Sequence, residues 1–415
     1  MNEELRQRLR ELGVIKGVQA LTARPPRPSF AIEDLVEGTF HTTSHGRCFV
    51  AERHFSTDHR HGRIPLSAFL DLPSASVERM TGNTDPAQKK PDPHRSVFVD
   101  TETTGLSGGT GTLAFVVGLA FFDADGFHIY QYFLRDPGDE PAMIARLAEE
   151  LPTFELLVSF NGRAFDIPIL ETRFVLNRRP PPTTMLPHLD LLPPARRLWR
   201  HHLPSCNLGT IERKVLGVIR DQTDVPGYLI PSLYRDYLRT GDARDMQRVL
   251  YHNTVDILSL VTLAVRISQA VGDPDGWDEA ALSGAELYGL GRWYQAQSCP
   301  ELSERAWRAA LRADLSPPLR ARTLSDLALL LKRTGRRDEA FAYWQQLALE
   351  STDDVTAYVE LAKYFEWYMG DPALAARWTR AGIALAEGWW DGERREVTLA
   401  ELRHRLKRLQ RKGAP

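Results

Sequence analysis

Apolar and polar positions change rhythm three times along the chain. Residues 1 to 81 are mixed: a short charged helix, a Pro-rich turn at 24 to 28, then the alternating stretch GTFHTTSHGRCFVAER, which predicts a hairpin. GNTDPAQKKPDPH, residues 82 to 94, is polar and punctuated by proline, the signature of a linker. From 95 the apolar runs lengthen and are bounded by Gly and Asp. SVFVD (96 to 100), LAFVVGLAFFD (113 to 123) and HIYQYFL (128 to 134) predict three strands of a largely buried sheet. A helix over 140 to 151, a fourth strand ELLVSF, and a helix from Ile167 carrying Leu170, Phe174 and Val175 on one face follow. HLDLL (188 to 192) predicts a fifth strand, and 242 to 270 a long amphipathic helix. The sum is an α/β domain, a mixed sheet flanked by helices, over 95–272.

In the last third, 280–412, no strand pattern survives. Ala306, Ala340 and Ala375 open aromatic-rich helices at steps of 34 and 35 residues, each preceded by a first helix: GLGRWYQAQ, ALLLKRTG and LAKYFEWYMG. A period near 34 in helix pairs is the tetratricopeptide spacing, where small residues let paired helices approach. The consensus Gly and Pro positions are only partly met, and an irregular helical bundle is the competing reading. The expected organisation is therefore an extension (1–81), a linker (82–94), an α/β domain (95–272) and an all-α repeat domain (280–412).

Composition narrows the class. With 43% hydrophobic and 26% charged residues the chain has the make-up of a soluble globular protein, without a run of about 20 apolar residues or an apolar N-terminal core, so a cytoplasmic location and no membrane are expected. Cys48, Cys206 and Cys299 lie far apart, which disfavours both a disulfide framework and a zinc site. A net charge of −2 gives no global pull towards nucleic acid, so any polyanion must be held by a local patch or through metal.

The candidate chemistry is carried by four acids on three elements. VDTETTGL sets Asp100 and Glu102 on one face at the end of a strand, about 6 to 7 Å apart. A buried strand has no structural reason to point two carboxylates one way, and a hard divalent cation would compensate their repulsion. In SFNGRAFDIPIL, Asp166 opens a helix after Asn161 and Gly162; taken alone it reads as an ordinary N-cap or first-turn residue. Asp256, between Val255 and Ile257 in the long helix, reads alone as a solvated acid.

Taken together, DxE on the first strand, N-x-x-x-F-D after the fourth and an acid in a late helix resemble the DEDD exonuclease superfamily, whose fold is ribonuclease H-like. The run from FVDTETTGLSGGTGTLAFVVGLAFF through VSFNGRAFDIPIL, HLDLL, RRLW, DVPGYLIPSLY, YLRTGD and HNTVDILSL is similar to YprB-type bacterial ribonuclease H-like domains over about 95 to 270. A helical repeat after the nuclease domain also resembles that family; the N-terminal region matches it loosely. The resemblance implies a two-metal centre: two Mg²⁺ or Mn²⁺ ions, about 3.5 to 4 Å apart, held by Asp100, Glu102, Asp166 and Asp256 and clamping the scissile phosphate. It implies a 3′→5′ exonuclease on DNA, single-stranded or at a 3′ end, with RNA as the other substrate. DNA repair, a YprA-like superfamily 2 helicase as partner, and protein contacts through the helical repeats are also implied. The rivals are a ribonuclease or structure-specific endonuclease on the same site, and a non-catalytic adaptor, whose mark would be loss of an acid.

In the superfamily a His or Tyr just ahead of the last Asp takes the water proton. At about 100° per residue, His252 lies within roughly 40° of the Asp256 face and Tyr251 about 140° away. His252 is therefore the expected general base and Tyr251 a packing residue, although the superfamily usually spaces its His as H-x-x-x-x-D and its Tyr as Y-x-x-x-D. The resemblance further makes Thr103, Thr104, Leu106 and Asn161 substrate contacts. Arg196, Arg197 and Arg200, with Arg178, Arg179 and Trp199, suit a single-strand channel, and suit equally an ordinary helix with Trp199 in the core. SGGTGT (107 to 112) fails as a P-loop, since no Lys-Ser or Lys-Thr follows. His54, Asp58, His59 and His61 match no zinc spacing, and Asp190 is expected to support the site without holding metal.

Overall fold

The structure, a computed structural model, describes residues 29–81, 92–105, 109–271, 282–350 and 352–413. The expected N-terminal helix, most of the 82–94 linker and Leu106 lie outside them. A hairpin forms as predicted, β1 (Gly38–Thr43) pairing antiparallel with β2 (Gly46–Phe55). After a small β3 (Arg60–His61) and β4 (Ile64–Pro65) pair come helix α1 (Ser74–Thr81) and the three expected strands β5 (Ser96–Thr103), β6 (Ala114–Phe122) and β7 (Phe127–Phe133). Then follow α2 (Glu140–Glu150), β8 (Leu156–Ser159), α3 (Asp166–Leu176), β9 (His188–Asp190), α4 (Leu192–Trp199), the short α5 (Leu208–Ile211), α6 (Ile230–Thr240) and the long α7 (Arg244–Val271).

The described residues hold a seven-stranded sheet in the order β1-β2-β7-β6-β5-β8-β9, antiparallel from β1 through β5 and parallel across β5, β8 and β9. The hairpin of the N-terminal extension belongs to this sheet: β2 runs beside β7 from Phe49 opposite Phe133 to Phe55 opposite Phe127. The 82–94 segment therefore joins two parts of one layer, because the open edge of β7 needs a partner for its backbone groups.

Strand alternation sends Val97 and Val99 into the core on one face, with Met143, Leu147 and Phe174, and Phe98 into the core on the other, with Phe69, Val261 and Ala264. Continuing that alternation, Asp100 and Glu102 share the side of Phe98, which α7 covers. α7 is long and apolar enough to cross a membrane by length and composition, but most of it is buried within the protein. Its close approach depends on Gly118, which faces Asp100 across the β5–β6 register: a Cβ there would stand 2.4 Å from Asn253 Oδ1 and 2.5 Å from Ile257 Cδ1.

The C-terminal part is all helical: α8 (Gly284–Ala296), α9 (Pro300–Arg312), α10 (Pro317–Arg333), α11 (Arg337–Glu350), α12 (Thr356–Lys363), α13 (Pro372–Glu387) and α14 (Gly392–Arg411). Ala306, Ala340 and Ala375 are buried, where neighbouring helices meet. One continuous apolar core runs from Phe98 through α7 to Leu287, Trp293 and Trp307 of this helical part.

Candidate active site

The end of β5, the start of α3 and the middle of α7 meet at a cleft of about 430 Å³ lined by Asp100, Thr101, Asp166 and Asp256, with Asn161, Phe165, Arg196 and Cys206 around them. Each acid is held by a different local device. Asp100 Oδ2 accepts a hydrogen bond from Asn253 Nδ2 at 2.7 Å, and Asn253 Oδ1 accepts from Gln131 Nε2 at 2.8 Å. Asp166 does not cap its helix; its Oδ1 accepts from the Thr101 amide at 3.1 Å and the Thr101 hydroxyl at 2.5 Å, which ties α3 to β5. Asn161 stands at φ 65, in the left-handed region, and Asp190 receives the amides of Asn161, Arg163 and Leu192. Asp190 thereby shapes the turn between β8 and α3 as well as the start of α4. Glu102 lies one alternation beyond Asp100, where a bulge shifts the β5–β6 register.

Asp256 has two neighbours. One oxygen accepts from Arg220 Nη2, and the other lies 3.6 Å from His252 Nε2. His252 Nδ1 is 2.7 Å from Asp224 Oδ1 and 3.1 Å from Arg220 Nη1. One ring nitrogen cannot donate to the first and accept from the second; the shorter, charge-assisted contact makes Nδ1 the protonated nitrogen and leaves the Nε2 lone pair free. Tyr251 points elsewhere: it is packed against the apolar core, and its hydroxyl accepts from the Asp221 amide at 3.3 Å.

The electrostatics of the cluster are those of buried like charges. Burial, then the carboxylates of Asp256, Glu102 and Asp166, push Asp100 well above the usual carboxylate range. Burial, then Asp256 and Asp166, do the same to Glu102. Burial raises Asp166 to about 6 against the two Thr101 hydrogen bonds, and raises Asp256 against His252 and Arg220. Among the described residues no group of three or more His, Cys, Asp or Glu is placed to hold a metal ion as it stands. The donor set itself fits a hard divalent cation, being carboxylate oxygens, with Asp100 met by an amide and not by a cation.

The other predicted residues divide. Asn161 and Arg196 line the cleft. Arg197 does not: one step round α4 from Arg196, its guanidinium lies 5.4 Å from the Trp293 ring in the helical part. Arg200 is exposed and pairs with the neighbouring His201 at 3.2 Å, and Trp199 is buried in the core. Thr103 is buried, its hydroxyl donating to Gly105 O, and Thr104 accepts from the Leu113 amide, so both build the turn into β6 and neither lines the cleft. His61 is buried against Ser259 at 2.7 Å, and burial lowers its pKa to about 4, which makes it a neutral core histidine.

Sequence reasoning missed Asn253, Gln131, Glu212, Arg220 and Asp224. Asn253 carried a signal, an amide in the apolar stretch next to His252. The others come from strand β7 and from the irregular segment 212–224, whose fold brings them in from outside any motif.

The profile described as RNase_H superfamily matches residues 97–268. YprB of Bacillus subtilis (strain 168) is 33% identical over 322 residues, which cover 77% of this chain and 76% of that protein. Among solved structures, PcrH from Pseudomonas aeruginosa overlays at a TM-score of 0.26 with 18% identity, covering 32% of this chain and 96% of that one, a likeness too slight to bear on the fold.

Proposed function

The chain belongs to the YprB family and carries a nuclease-type RNase H superfamily domain over 97–268, and from that premise we propose that it is a metal-dependent 3′→5′ exonuclease acting on single-stranded DNA ends. The observation that supports the reading best is the convergence of Asp100, Asp166 and Asp256 on one cleft, with the Nε2 lone pair of His252 beside Asp256.

When bound, Mg²⁺ or Mn²⁺ held by Asp100, Glu102, Asp166 and Asp256 would supply positive charge to the scissile phosphate and make water more acidic. The chain's own residues do the rest. His252 accepts the proton of the attacking water at Nε2, and Asp224 at Nδ1 holds the ring in the tautomer that allows it. Arg196 at the cleft meets an incoming phosphate, and Phe160 and Phe165 offer apolar surface to the terminal nucleoside. A helicase of the YprA-like kind would supply the single-stranded ends on which such a site acts.

The test is 5′-labelled DNA and RNA of one sequence with Mg²⁺ or Mn²⁺, wild type beside Asp100→Asn. The expected result is stepwise shortening of DNA to nucleoside 5′-monophosphates by wild type alone. Internal oligomers would make it an endonuclease, cleavage of RNA alone a ribonuclease, and equal action by Asp100→Asn would remove the site from the reaction.

A further inference from the structure

Glu212 is almost fully buried, yet it lies in the irregular segment 212–224, outside every motif of the acidic cleft. It opens a π-turn (Glu212–Leu216), a distortion that recurs at functional sites, and its two oxygens accept from Arg220 Nε at 2.7 Å and Nη2 at 2.6 Å. Its anchor reaches further: Ser259 donates its hydroxyl to Glu212 Oε1 at 2.7 Å and receives the neutral His61 ring at 2.7 Å. The guanidinium thus docked has donors left over. Nη2 also meets Asp256, and Nη1 lies 3.4 Å from Asp224 Oδ2, the carboxylate that holds His252. Arg220 is the hub of one network joining the buried anchor to a metal-ligand candidate and to the proton acceptor.

We propose that Arg220 is a positioning residue of this centre: a guanidinium fixed by Glu212 that keeps Asp256 and, through Asp224, His252 in place while metal and substrate bind. The proposal rests on the nuclease reading. Two simpler roles compete with it. A placeholder that fills in for an ion and then steps aside would have to abandon Glu212 in the interior without a counter-charge, which the buried two-point contact opposes. A purely structural ion pair would have no reason to aim its remaining donors at Asp256 and Asp224.

The experiment compares wild type, Arg220→Gln and Arg220→Lys by Mn²⁺ titration calorimetry and by turnover on 5′-labelled DNA. Glutamine removes a fixed positive charge beside a divalent cation, so Mn²⁺ binding tightens about tenfold, while lysine keeps the charge and leaves affinity near wild type. Turnover falls about 100-fold in both, because neither side chain can hold Glu212, Asp256 and Asp224 at once. Wild-type turnover in either variant overturns the proposal in favour of a placeholder. Mn²⁺ affinity that is unchanged in Arg220→Gln overturns it in favour of a structural pair. The double variant Glu212→Gln with Arg220→Gln removes the buried anchor charge together with its partner, so it keeps the titration decisive where the single variant folds poorly. If wild type cleaves nothing, the nuclease reading fails, and the Mn²⁺ comparison still decides whether Arg220 is a fixed charge of the metal site.

Discussion

His252 and Tyr251 are adjacent in sequence and face different surroundings, one the acidic cleft and the other the apolar core and the Asp221 amide. His252→Ala is expected to lower turnover by about 10²- to 10⁴-fold, the usual range for a lost general base, while Tyr251→Phe keeps most of it. Steady-state cleavage of labelled DNA checks both, and the reverse order would assign the proton to the tyrosine. Asp166 yields a pH prediction. Its carboxyl is raised to about 6 by burial, so the metal-free folded state holds a proton that the unfolded chain releases near pH 4. Its contribution to stability is therefore full below pH 4 and lost as pH rises through 6. In chelator, Asp166→Asn should raise the melting temperature relative to wild type at pH 7.5 and not at pH 4; an equal effect at both would contradict the raised carboxyl. At this scale the acids were legible because carboxylates in apolar runs are rare without a reason. Arg220 was not, since a lone Arg in a polar loop looks the same whether it faces water or a buried Glu.

The elements of the α/β layer were readable almost strand by strand, because period-2 burial and flanking Gly and Asp mark them locally. What local pattern could not supply was pairing: nothing in GTFHTTSHGRCFVAER says that its second strand will lie beside β7, as that depends on an edge elsewhere in the chain. Nor did Gly118 stand out inside LAFVVGLAFF. Its role belongs to the contact between β6 and α7, and Gly118→Ala is the direct check. The added methyl has to push against Asn253 and Ile257, which should destabilise the fold by about 1–3 kcal/mol in urea unfolding and weaken turnover by displacing the Asp100 partner. A neutral result would mean that α7 shifts freely over the sheet.

For the whole molecule, the helical part is bound into the same core as the α/β layer. Trp199 Nε1 and Arg266 both donate to Glu286 Oε1, at 2.8 and 2.6 Å, while Glu286 and Ser283 cap α8 reciprocally. Removing that shared acceptor in Glu286→Ala should cost about 3 kcal/mol, read as a lower urea midpoint with both parts still unfolding in one transition. Two separate transitions would show the two parts to be independent. The sequence pattern separated an α/β region from a helical one correctly in kind. It was silent on this union, since a Trp in an Arg-rich helix carries no sign of what covers it.

That union has a mechanical meaning. Helices joined to a cutting site by a loose tether raise the local concentration of whatever they hold, but leave its direction free. Here they share an interior with the α/β layer, so any molecule seated on them would stand at one distance and one bearing from the acidic cleft. The union thus makes the helical part a fixed mount and not a swinging arm.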